Sequence, residues 1–132
     1  MPRKEAFDKV TGTARYTDDE IIPGMLHAKI LASPYAHARI NSIDVTEAMK
    51  SPGVKAVITG DYLPVLCGTV LEDRPPIAKD KVRYYGEPVA VVVANTEQEA
   101  MESLKLIKVE YDPLPVVNTI DDAIKPNAVI IH

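Results

Sequence analysis

The stretch Pro75-Pro76-Ile77-Ala78-Lys79-Asp80-Lys81-Val82-Arg83-Tyr84-Tyr85-Gly86-Glu87-Pro88-Val89-Ala90-Val91-Val92-Val93-Ala94 decides the fold. Two prolines stiffen a loop, a charged rim follows, and Gly86-Glu87-Pro88 turns the chain into a β-branched run. Residues 89–94 hold no polar side chain, so the run reads as a strand covered on both faces. Such a strand belongs at the centre of a mixed sheet, and the other segments are placed around it. Gly86, ahead of Pro88, points to a positive φ or a close backbone approach.

Upstream, residues 1–24 read as an extended lead-in, polar and without helical period, ending in the turn Pro23-Gly24. Leu26, Ala28 and Ile30 alternate with His27 and Lys29. Ala38, Ile40 and Ser42 alternate with His37, Arg39 and Asn41. Both patterns fit half-buried strands, and the short Ser33-Pro34-Tyr35 break predicts that they pair as a hairpin. Asp44-Val45-Thr46-Glu47 has capping-box spacing for a short helix stopped by Pro52-Gly53, with a strand over 54–59 after it. Residues 60–81 show no sustained period and read as a long loop, either an interface segment or a mobile one.

Downstream, Thr96-Glu97-Gln98-Glu99 repeats the capping signature. The helix it opens should reach about residue 106, with Ala100, Met101, Leu104 and Ile107 on its inner face. The period then changes: Ile107, Val109 and Tyr111 alternate with Lys108, Glu110 and Asp112 until Pro113 and Pro115 end the strand. Thr119-Ile120-Asp121-Asp122 caps a last short helix, closed by Pro126-Asn127. Strands and short helices interleaved in this way specify an α/β (α+β) domain, expected to occupy residues 1–132 as one unit.

Apolar residues make up 46% of the chain but aromatics only 5%, so the core must be built from Val, Ile, Leu and Ala. The formal charge of −4 and the lack of a basic stripe argue against nucleic acid as a partner. Arg3-Lys4-Glu5 is not followed by an apolar run, so no signal peptide is read, and no segment has the length of a membrane span. The single Cys67 forms no internal disulfide, which fits a reducing cytoplasm, the expected location.

Few residues invite chemistry. His27 and His37, on the two strands expected to pair, would need further convergent ligands to hold zinc. Cys67 has no CxxC partner, and the third histidine is His132. Asp18-Asp19-Glu20 and Asp121-Asp122 sit in a turn and a helix start, where solvated acids are ordinary. Cys67 lacks a neighbouring base in sequence that would make it a nucleophile. Gly12 and Gly86 belong to no phosphate-cradling loop. Tyr84-Tyr85 read as a strand-end aromatic pair on the edge of the core rather than a stacking platform for a ligand. The expected catalytic, cofactor-binding and metal residues are therefore none.

Five blocks, in order, resemble the start of the large, molybdenum-binding subunit of xanthine dehydrogenases and aldehyde oxidases. They are Val10–Asp19, Pro23–Ile40, Pro52–Thr59, Pro75–Ala94 and Val109–Val117. The resemblance implies the α/β hammerhead fold and a structural role, packing against a molybdopterin-binding region or subunit. The parent enzymes would use molybdopterin, [2Fe–2S] clusters and usually FAD, the last two in other domains or subunits. The resemblance also implies that the pterin-contacting loops and the catalytic glutamate lie downstream of this module. The chain alone is accordingly expected to be inactive and to bind none of these cofactors. Its partner-facing surface is expected on residues 60–81 and on the Tyr84–Glu87 rim, with Leu63, Val65, Leu66 and Ile77. The alternatives are a stand-alone interaction or accessory module that shares the fold, and a small metal-binding regulator using His27 and His37.

Overall fold

The computed structural model of the chain describes residues 3–131. In order, its elements are α1 (Ala6–Thr11), β1 (His27–Ala32), β2 (Ala38–Asp44), α2 (Thr46–Lys50), β3 (Val54–Thr59), β4 (Lys81–Val82), β5 (Pro88–Ala94), α3 (Glu97–Leu104), β6 (Lys108–Pro113) and α4 (Ile120–Ala123). The strands form two three-stranded sheets, in the orders β1-β5-β3 and β4-β2-β6. The valine-rich run is central, as its composition predicts. The sheet is not mixed, however, because every described pairing is antiparallel. β1 and β3 run in the same direction, but β5 lies between them and opposes both.

The expected hairpin of β1 and β2 does not form, and the two strands lie in different sheets. The cause is the connection between them. The Ser33 N–H donates to the Glu87 carbonyl and the Gly86 N–H to the Ser33 carbonyl, both at 2.9 Å. Ser33 Oγ closes a local turn with Tyr35. The chain is thus tied to the 86–87 turn just where a hairpin would reverse, and it crosses into the second sheet.

One face of the first sheet is covered by the two middle helices. Val57, Ala90, Val92 and Ala94 pack with Ala48 of α2, Ala100 of α3 and Ile107. α3 is held by its capping box: Thr96 Oγ1 accepts from the Glu99 N–H at 3.2 Å, and the Glu99 carboxylate accepts from the Thr96 N–H at 3.0 Å. Lys29 on β1 forms an ion pair with Glu97 at the start of α3, which holds the Glu97 carboxyl below its ordinary range. Met101, expected inward, is exposed, and Ser103 takes the buried place, its hydroxyl donating to the Glu99 carbonyl. α2 departs from its expected capping box too. Asp44 accepts from the Thr46 N–H at 2.9 Å, and Glu47 turns instead to Lys50.

A second, smaller cluster of Ala38, Ala78, Val82 and Val89 joins the start of β5 to the second sheet, with Ile43 and Val109 touching both clusters. The lead-in is not wholly extended. Residues 6–11 form a short helix ended by Gly12 at φ 70, the left-handed conformation that favours glycine. That helix escapes a reading by periodicity because it has no buried residue.

Candidate docking surface

Antiparallel register places Ala28, Val93 and Ala56 in one cross-strand rank, and Ile30, Val91 and Ile58 in the next. Side chains alternate across a strand, so both ranks face away from the α2–α3 side. Every member is apolar, yet none is buried, and Ile30 is 57% exposed. The expectation that this strand is covered on both faces therefore needs correcting. Val92 lies under the helices and Val89 under the second sheet, while Val91 and Val93 are only half-buried. The face is contiguous and wholly apolar, a composition more frequent at contact surfaces than on solvent-facing sheet.

The long loop adds apolar side chains at the end of the sheet where β3 stops and β5 begins. Residues 61–72 are all exposed, among them Leu63, Val65 and Leu66. Ile77 was expected with them but is buried, because the Ala78 N–H pairs with the Pro88 carbonyl at 2.7 Å and draws the loop's end into the second cluster. Leu63, Val65 and Leu66 line an open cleft of about 240 Å³ together with Lys81 and Arg83. Burial holds the Lys81 ammonium below its ordinary range, and repulsion from Arg83 and Arg39 adds to this.

The Tyr84–Glu87 rim divides in two. Tyr85 is open to solvent, and the Arg74 guanidinium stands 6.0 Å from the Tyr84 ring centroid. This is not the packed aromatic pair expected. Gly86 has φ 86, as the turn requires. Glu87 is buried, its Oε2 accepting from the Arg83 N–H at 2.5 Å while Oε1 has no hydrogen-bond partner. It therefore fastens the turn and is not a surface residue.

The candidate chemical groups are scattered. His27 lies on β1 and His37 beside the second sheet, so the two do not share a face. His37 is buried, with Nδ1 2.7 Å from the Pro115 carbonyl. A carbonyl only accepts, so Nδ1 carries a proton, and Nε2 is buried without a hydrogen-bond partner. Cys67 is exposed, and its backbone bridges to Arg74. Asp19 accepts from the Tyr16 N–H, and Asp122 pairs with Lys125. His132 lies outside the described residues. Among the described residues no group of three or more His, Cys, Asp or Glu could hold a metal ion, and no helix is long and apolar enough to cross a membrane. The molybdenum–pterin group implied by the resemblance does not fit here. The one thiol stands alone at the surface, and the glycines sit in isolated turns that form no phosphate cradle.

Residues 11–115 match the family model described as aldehyde oxidase and xanthine dehydrogenase, a/b hammerhead domain. The chain is 42% identical to a probable xanthine dehydrogenase subunit of Bacillus subtilis, over 98% of this chain and 18% of that protein. It is 38% identical to a carbon monoxide dehydrogenase large chain of Hydrogenophaga pseudoflava, over 98% of this chain and 17% of that protein. Its fold superimposes on an aldehyde oxidoreductase from Desulfovibrio gigas with a TM-score of 0.88 at 32% identity, covering 99% of this chain and 16% of that one. The chain thus spans about a sixth of the length of these proteins.

Proposed function

Since the chain belongs to the aldehyde oxidase and xanthine dehydrogenase a/b hammerhead family, we propose that residues 1–132 act as one non-catalytic structural domain of a molybdenum hydroxylase large subunit. The domain packs against the molybdopterin-binding region and completes that subunit's fold. Molybdopterin supplies the oxidative chemistry in the parent enzyme. The electrons leave through [2Fe–2S] clusters, usually toward FAD, on partner domains or subunits. The observation that carries the reading is the uncovered apolar face of Ile30, Val91 and Ile58, because a domain serving alone in water has no use for it. The exposed Leu63, Val65 and Leu66 extend the apolar area available to the same partner.

Co-expression of the tagged chain with the molybdopterin-binding region as a separate polypeptide tests this. The chain should retain that region, and molybdenum with it, through purification. Val91→Asp should reduce retention by on the order of tenfold or more, since an unpaired charge would be taken out of water at the contact. Equal retention by Val91→Asp and the unaltered chain would overturn the assignment of the surface.

A further inference from the structure

The segment before β1 makes its hydrogen bonds within itself and buries no side chain. The Thr13 and Ala14 N–H groups both donate to the Asp8 carbonyl, the Tyr16 N–H to the Asp19 carboxylate, and the Met25 N–H to the Ile22 carbonyl. Among the described residues, the hydrogen bonds of residues 3–25 end inside that segment. The segment has no buried residue, and Phe7, Val10, Ile21 and Ile22 are between 66% and 86% exposed. Four large apolar side chains are therefore presented mostly to solvent on a preformed arm.

We infer that residues 4–26 are a docking arm whose Phe7, Val10, Ile21 and Ile22 seat in an apolar groove of the molybdopterin-binding region. The inference rests on the reading above for its partner, but it concerns a different surface. The partner's chemistry follows from what the arm presents. Local backbone hydrogen bonds at 13, 14, 16 and 25 turn the arm back on itself rather than leaving it extended as an edge strand requires, so recognition falls to side chains. Asp18-Asp19-Glu20 directly precede Ile21-Ile22, so a groove that accepts the two isoleucines should carry lysine or arginine on its rim. The relatives are about six times the length of this chain, which leaves ample polypeptide to supply such a groove.

Trypsin cleavage at Arg15 and the Ile21→Ser/Ile22→Ser double variant test the arm, using the chain alone and its complex with the molybdopterin-binding region. Arg15 should be cut at least tenfold more slowly in the complex. The double variant should bind on the order of tenfold or more weakly, as the loss of two buried isoleucines implies. Its thermal midpoint should stay close to that of the unaltered chain, because Ile21 and Ile22 are 86% and 66% exposed. If the complex forms but Arg15 is cut at the free rate, or the double variant binds equally well, the arm inference falls and the domain assignment stands. If no complex forms, the domain assignment falls and the arm inference falls with it.

Discussion

Val92→Asp is expected to leave the chain unfolded in buffer, whereas Val91→Asp, one position away, is expected to fold. Val92 is fully buried beneath α2 and α3, in the cluster that includes Ala48 and Ala100. A carboxylate there finds no partner, and its cost, on the order of 5 kcal/mol or more, rivals the whole stability of a domain this size. Val91 points from the same strand to the uncovered face and already meets water. Its replacement should cost about 1–2 kcal/mol. Urea unfolding followed by circular dichroism separates the two. Equal destabilisation would mean that β5 does not have one covered face and one open face.

The pair also marks what can be read from the residues alone. A continuous run such as Val89–Ala94 announces a central strand, because nothing in it tolerates water. For the same reason it lacks the alternation that would tell a face covered by its own chain from one awaiting another polypeptide. The capping box at Thr96 is legible because both its members lie within four residues. The crossing between sheets at Ser33 is not, since its partners are Gly86 and Glu87, more than fifty residues away. Ile77 and Leu66 look alike in composition, and only the backbone bond from Ala78 to Pro88 buries the first and leaves the second out. The helix at residues 6–11 has no inward face, so it leaves no periodic trace. The family, by contrast, could be read from five ordered blocks without any structure.

Gly53→Ala is the second substitution expected to have a large effect, about 2–3 kcal/mol of destabilisation. Gly53 has φ 79, where an L side chain costs about 1–2 kcal/mol. A Cβ there would also overlap the Glu99 carboxylate. That carboxylate closes the capping box on Thr96, a contribution of about 1 kcal/mol to α3. The two effects can be separated. In a Glu99→Ala background the cost of Gly53→Ala should fall to the backbone part alone. Gly12→Ala, at φ 70 with nothing within 4 Å of the added carbon, should show only that backbone part, or less if its exposed helix frays. Thermal unfolding of the four variants is the check. A cost at Gly53 that does not depend on residue 99 would contradict the contact between the α2–β3 turn and α3.

On the proposed reading, the sheet face bearing Ile30 is covered by another part of a molybdenum hydroxylase large subunit. A single thiol placed there by Ile30→Cys, in a Cys67→Ser background, tests it most directly through its rate of alkylation by iodoacetamide. The introduced thiol should react near the rate of a free thiol in the 132-residue chain and at least tenfold more slowly in the complete large subunit. Equal rates in the two would contradict it.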